Sequence, residues 1–353
     1  MAEPSSRCSG MRRRAVQVLS MLIYNADVSR WFSGGISRSS LKHVCVPGLN
    51  CYSCPGAIAS CPLGSLQNTI GGGRFPFFVT GFLLLAGTLL GRMVCAFLCP
   101  AGLVQELLYK IPVKKLKKTP RVLAVTRRLS LLKYALLVLL CAVFPLAAFV
   151  RSGAASPYFC KFFCPAGTLG AGIPLVLLNE GFRAAAGRLF AWKVAVAAVL
   201  LLWSAVFFRP FCTFFCPLGA VYSFFNRIAL AGIRVDAQKC LHCGACTAHC
   251  RMQTLTVNDR ECIRCGDCIS RCPHNALSMG HVRQQSDSER ERGAAVPTNA
   301  ARSTNALSMG RARQQSDSGR ERGAAVPTNA ARSTNAVLPP GAGGGTEGGR
   351  GLL

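Results

Sequence analysis

Apolar residues along this chain come in long unbroken runs rather than in the one-sided stripes of soluble helices. Three runs, Phe75–Cys95, Leu129–Val150 and Leu189–Phe208, reach the about 20 residues needed to cross the hydrocarbon core of a bilayer. A fourth, Ala15–Phe32, is interrupted by Asn25, Asp27 and Arg30. Such groups face a bundle interior or mark a helix lying in the interface, and a span is the reading adopted. The run Ala171–Leu178 contains Pro174 and is too short to cross, so it reads as re-entrant or interfacial. The pattern predicts an α-helical membrane bundle of about four transmembrane helices over residues 1–230.

Charge changes the picture by orienting those helices. The net charge is +27, from 41 basic and 14 acidic side chains. Nucleic-acid binding would be one reason for such an excess, but the basic residues cluster beside the apolar runs. Lys110, Lys114, Lys115, Lys117, Lys118, Arg121, Arg127 and Arg128 lie between Tyr109 and Ser130 with no acid among them. This is how a cytoplasmic loop looks under the positive-inside rule, and no nucleic-acid partner is expected. With that loop inside, Phe75–Cys95 runs inward, the next span outward and the last inward, which leaves everything after Arg209 in the cytoplasm. Arg12, Arg13 and Arg14 then also lie inside. No small-residue cleavage site follows them, so no removed signal peptide is expected.

Twenty cysteines mean either disulfides in an oxidising compartment or metal in a reducing one. Their spacing decides. Cys240, Cys243, Cys246 and Cys250 follow C-x2-C-x2-C-x3-C, and Cys262, Cys265, Cys268 and Cys272 repeat it, with Pro273 completing the second copy. This is the bacterial two-cluster ferredoxin pattern, in which the fourth cysteine of each run serves the other [4Fe–4S] cluster. The expected sets are Cys240, Cys243, Cys246 and Cys272, and Cys262, Cys265, Cys268 and Cys250. Gly244 and Gly266 free the backbone to turn between ligands. Arg251 stands where a proline commonly follows the fourth cysteine. Zinc ligands come as separated pairs, and disulfides are disfavoured on the cytoplasmic side. Residues 231–280 therefore read as a small α+β ferredoxin domain.

A second pattern recurs at the ends of the apolar runs. Cys95 and Cys99, Cys160 and Cys164, and Cys212 and Cys216 each form C-x-F-x-C-P, and Cys45, Cys51, Cys54 and Cys61 form a looser upstream set. Positions i and i+4 share a helical face, so each pair can present two sulfurs together. The proline suits the first turn of a following helix, whose N-terminus favours a thiolate. The topology puts Cys95, Cys99, Cys212 and Cys216 at the inner face, four thiolates that match a third cluster; buried structural thiols are the alternative. Cys45, Cys51, Cys54, Cys61, Cys160 and Cys164 fall at the outer face, where a fourth cluster or disulfides are both open. Cys51, Cys54, Cys160 and Cys164 are the favoured ligands there. Cys141, mid-span, reads as a small core residue. Asn25, Asp27, Gln105 and Glu106 are the polar groups nearest these cysteines; bundle hydrogen bonds and a Glu106–Lys110 pair are preferred over a quinone role.

Beyond His274, Asn275–Thr304 and Asn305–Thr334 form a tandem repeat of 30 residues with three differences. Rich in Arg, Ser, Gln, Ala and Gly, it has too little apolar surface to fold, and residues 281–353 read as a disordered tail.

C-x-x-x-C-P motifs at helix ends followed by a two-cluster ferredoxin run resemble the NapH/NosR/CcoG group of membrane polyferredoxins, over roughly Arg12 to Leu277. The stretch from Cys45 through Cys51 and Cys54 to Ala57 looks like a NapH-related subgroup of 4Fe–4S binding membrane proteins. The resemblance implies electron transfer at the cytoplasmic membrane, often between quinols and periplasmic reductases, or reduction of a metal ion. The chain departs from the best-known members in its extra cysteine pairs and in lacking an S-G-A-T-type flavin attachment site. No nucleophile–base pair, P-loop or Rossmann fingerprint offers other chemistry. The expectation is an electron-transfer component, rather than a stand-alone catalyst, working between a cytoplasmic donor and a membrane quinone or outer acceptor. The alternatives are a copper-type metal-ion reductase, or an iron–sulfur redox sensor or assembly factor.

Overall fold

The computed structural model describes residues 4–116, 119–153 and 156–282. The tail and almost all of its repeat lie outside the described residues. Those that are described fall within one compact unit, Met1–Pro297. They are mostly helical: α1 (Pro4–Tyr24), α2 (Pro62–Gly71), α3 (Phe77–Leu90), α4 (Met93–Phe97), α5 (Pro100–Leu108), α6 (Arg121–Ser152), α7 (Tyr158–Phe162), α8 (Pro165–Leu178), α9 (Arg188–Val206) and α10 (Pro217–Phe225), with the short α11 (Ala245–Ala248) near the C-terminal end.

Among the described residues two helices, α6 and α9, are long and apolar enough to cross a membrane, where four were expected. The expected span Phe75–Cys95 is broken. Gly91 takes φ +55, its N–H closes on the Gly87 carbonyl, and the helix ends at Leu90. The remaining 14 residues extend about 21 Å, short of a bilayer core of about 30 Å. The Ala15–Phe32 run splits as well: α1 stops at Tyr24, before Asn25 and Asp27, and a separate turn covers Ser29–Ser33. The Ala171–Leu178 run is the end of α8.

The cysteines sit where the sequence puts helix starts. Cys61, Cys99, Cys164 and Cys216 are each the N-cap of a helix whose first residue is proline, in extended conformation before the helical φ of the ring. Between α1 and α2 the chain runs without long elements, yet it is fixed. Asn50 Nδ2 donates to the carbonyls of Tyr24 and Ala59, Ser60 Oγ to that of Lys42, and Lys42 Nζ to that of Tyr52.

After α10, β1 (Ala231–Val235) pairs antiparallel with β2 (Leu277–His281), Ala231 opposite His281 and Val235 opposite Leu277. Both cysteine repeats lie between these strands. Ile233, Val235 and Leu277 form a small core against which Cys240, Cys246, Cys268 and Cys272 pack. The main core includes Cys95, Cys99, Cys164, Cys212 and Cys216 together with Met252 and Ile263, and Cys250 and Cys265 pack against it.

Candidate iron–sulfur sites

In the C-terminal repeats the same turn is made twice. His242 and Arg264, each one residue before the second cysteine, take φ +50 and +53; Gly244 and Gly266, one residue after it, take φ +70 and +79. Alternating left-handed residues turn each loop tightly between its cysteines. A cavity of about 40 Å³ is lined by Cys240, Cys243, Cys246 and Cys272. A second, of about 30 Å³, is lined by Cys250, Cys262, Cys265 and Cys268, with Cys246 between the two. The Ala276 N–H donates to Cys272 Sγ at 3.4 Å. Arg251, in the place of the usual proline, reaches Asp267 at 3.7 Å and lies 5.8 Å over the Phe208 ring.

The inner set also comes together. Cys95, Cys99, Cys212 and Cys216 are all buried, and each is in electrostatic range of others of the four. Burial pushes the Cys212 thiol up to about 12, with Cys99 and Cys95 adding to the rise and Arg209 opposing it. Four such thiols cannot all ionise side by side without cationic charge among them. Two wholly buried arginines supply part of it. Arg92 donates to the Cys212 carbonyl at 3.4 Å, and Arg209 to the Cys95 carbonyl at 2.6 Å. Glu106 does not meet Lys110 as expected. Its carboxylate takes a two-pronged bond from Arg13 at 2.6 and 2.9 Å and another from Arg209 at 2.5 Å. Partners so far apart in the chain (positions 13, 106 and 209) leave no local signal.

Five outer cysteines are divided between two cavities. Cys51, Cys61, Cys160 and Cys164 line a single cavity of about 960 Å³. Cys54 lines a second cavity of about 280 Å³, which it shares with Cys51, Asn25 and Gln105, and a Cβ built on Gly170 would lie 4.0 Å from its sulfur. Burial pushes the Cys61 thiol up to about 12, Cys164 adding to it. Cys141, buried in α6, lies in electrostatic range of Cys61 and Cys164. Lys193, on α9, was not singled out by sequence reading; it lines the larger cavity and is in range of Cys51 and Cys164.

These arrangements fit iron–sulfur cubanes. Glycines lie beside the sulfurs: a Cβ would sit at ordinary contact distance, 3.6 Å from Cys51 Sγ at Gly167, 3.7 Å from Cys216 Sγ at Gly219 and 4.0 Å from Cys160 Sγ at Gly64. Backbone N–H groups aim at sulfur, as Gly219 does to Cys216 at 3.3 Å. The cysteines from Cys45 to Cys272 are free thiols, and among the described residues no three Cys, His, Asp or Glu side chains close on one point as a single ion requires. A cubane spaces its four thiolates more widely than one ion does.

One more cluster of charges joins the two parts of the unit. Glu261, next to Cys262, accepts from Lys133 Nζ at 2.5 and 2.6 Å and from Arg92 at 2.6 Å, both cations wholly buried. Burial raises the Glu261 carboxyl, but Arg92 and Lys133 outweigh it and hold the group below its ordinary value. Asn226 donates to the carbonyls of Asp259 and Cys262, and Arg264 donates to those of Ala231 and Asn226.

Comparison with known proteins agrees with the chemistry of these sites. A protein-family profile described as a 4Fe-4S binding domain matches residues 72–119, 134–175 and 189–235, each containing one C-x-F-x-C-P motif. A second profile of the same description matches residues 255–278. An uncharacterized protein of Methanocaldococcus jannaschii is 31% identical over 171 residues, 47% of this chain and 60% of that protein. The methylamine utilization ferredoxin-type protein MauN of Paracoccus denitrificans is 30% identical and that of Methylorubrum extorquens 32%, each over 172 residues, 48% of this chain and 50% of theirs. The chain thus spans about half to three-fifths of the length of these relatives. No solved structure matches. The profiles and cysteine sets together give the chain 4Fe-4S binding domains of ferredoxin type.

Proposed function

We propose that the chain is a membrane-bound polyferredoxin, of the kind represented by NapH, NosR and CcoG, that conducts electrons between a cytoplasmic donor and a membrane quinone or outer acceptor. When bound, [4Fe–4S] clusters supply one-electron carriage. The observation that carries the reading is the continuity of the cysteine sets. The Cys240 and Cys262 sets share a wall at Cys246; Cys250 and Cys265 pack on the core that holds the inner set; and that core extends to Cys164 of the outer set. The residues of this chain then have definite tasks. They hold four thiolates at each of four places, bring amides to the sulfurs, and set buried Arg92 and Arg209 against the negative charge of the inner set.

Membrane insertion is supported by the surface of the long helices. Only 22% of the most apolar window of α6 and 17% of that of α9 is buried, where the core helix of a soluble protein would be mostly covered. Leu131, Leu146, Val150, Val199 and Leu202 are all more than half exposed. Apolar surface on that scale needs a lipid or protein cover. The Lys-rich stretch after α5 supports a cytoplasmic position for the ferredoxin part.

The test is iron and acid-labile sulfide in a variant with the eight cysteines from Cys240 to Cys272 replaced by Ser. The reading expects about eight irons to remain in two clusters. No residual iron would remove both membrane clusters.

A further inference from the structure

Two glutamines, outside every motif described so far, make the same bonds in the same order. Gln67 follows Cys61-Pro62 as Gln105 follows Cys99-Pro100, six residues after the cysteine in each case. Gln67 is wholly buried; its Nε2 donates to the Leu63 carbonyl at 3.1 Å and to Cys160 Sγ at 3.4 Å, and its Oε1 accepts the Phe159 N–H at 2.9 Å. Gln105 is 5% exposed; its Nε2 donates to the Ala101 carbonyl at 3.0 Å and to Cys212 Sγ at 3.2 Å, and its Oε1 accepts the Phe211 N–H at 3.1 Å. In each copy the partners are the carbonyl four residues back, the first sulfur of a facing C-x3-C pair, and the amide just before that sulfur. Because the oxygen must face a backbone N–H, the NH2 must face the sulfur.

We propose that Gln67 and Gln105 are matched positioning residues, each locking the first cysteine of a facing pair and donating to its thiolate. This rests on reading the outer and inner sets as cluster sites. The two sets are then one device used twice. Cys61, Cys160 and Cys164 at the outer site correspond to Cys99, Cys212 and Cys216 at the inner site. The fourth inner ligand, Cys95, has no outer counterpart, because Ala57 occupies that place four residues before Cys61. Cys51, from the preceding loop, completes the outer set: it lines the larger cavity with Cys61, Cys160 and Cys164, whereas Cys54 lines the smaller one.

A donor to thiolate sulfur stabilises the more negative, reduced state of a cluster and so raises its reduction potential. The amide also fixes the sulfur's direction through the Phe N–H that it holds. Removal of the donor should therefore lower the potential of one membrane centre and leave its twin alone.

The experiment is an anaerobic redox titration, followed by EPR, of the full-length holoprotein and of Gln105→Met, Gln105→Glu, Gln67→Met and Gln67→Glu. Methionine keeps the length without the donor; glutamate keeps the acceptor for the Phe N–H but presents a negative oxygen to sulfur. The expected result is a fall of about tenfold in the one-electron equilibrium of a single membrane centre, about 59 mV, larger for glutamate than for methionine. The Gln105 and Gln67 variants affect different centres, and the ferredoxin signals stay in place. Loss of iron from one membrane site alone in both variants of a glutamine would equally support the clamp. Unmoved potentials at full iron content, or the same centre responding to both glutamines, would overturn it. A parent protein with iron only in its ferredoxin part would sink the cluster reading itself, and that is measured before any variant.

Discussion

Replacing Glu261 with Gln keeps the size of the side chain and removes the charge that two buried cations share. Lys133 and Arg92 are both wholly covered, so neither gains water when its partner is neutralised. Breaking a buried pair by removing one partner costs about 3–5 kcal/mol, because the charge left behind is uncompensated. The Glu261 side chain is 20% exposed, which puts the loss near the lower end, about 3 kcal/mol or roughly two powers of ten in the opening of this contact. The Asn226 and Arg264 bonds remain, so the segment should open locally without the chain unfolding. Hydrogen exchange of the Arg260, Glu261 and Cys262 amides reads this directly, as an approximately hundredfold loss of protection. Adding Lys133→Met removes one orphaned charge, so the double variant should be better protected than Glu261→Gln alone. Equal protection in parent and single variant, or a double variant worse than the single by the sum of both, would refute the reasoning.

The Arg209→Gln change leaves Glu106 with Arg13 alone and strips a buried cation from beside Cys95. It should cost about 3 kcal/mol and release iron from the inner set while the ferredoxin signals persist in EPR. The Cys61→Ser variant should lose the outer centre's iron and Cys54→Ser should keep it; the opposite result would restore Cys54 as the ligand. For pH, the carboxyl of Glu261 lies below its ordinary value in the folded chain. Its contribution is therefore complete above the unfolded carboxyl value of about 4.3 and is lost as pH falls through the lower folded value. Exchange protection of residues 260–262, corrected for the intrinsic rate, should be flat between about pH 7 and about pH 5, and a decline within that range would contradict the pairing.

What could be read from the chain follows the range over which each feature is specified. The ferredoxin repeats are legible because every ligand-bearing turn is written within a dozen residues, down to Gly244 and Gly266. The helix starts at Cys61, Cys99, Cys164 and Cys216 are legible because proline at the first helical position is a local signal. The ion pairs were not legible. Glu106 has Lys110 one turn away, and no local rule says that Arg13 and Arg209 will displace it. Lys133 in an apolar run has its partner at Glu261, in the ferredoxin part. The span at Phe75–Cys95 was overextended because hydropathy does not register the left-handed turn at Gly91. Which outer thiol turns inward depends on how Asn50, Lys42 and Ser60 tie the loop before α2, a tertiary matter. A signal for Cys61 was nonetheless present, in the glutamine six residues after both Cys61 and Cys99.

The central claim is that four cysteine sets in this one chain each hold a [4Fe–4S] cluster. Iron and acid-labile sulfide per chain, measured on full-length protein purified from membranes without oxygen, test it most directly. The account predicts about sixteen of each in a brown protein; a colourless protein, or zinc at the positions from Cys240 to Cys272, would contradict it.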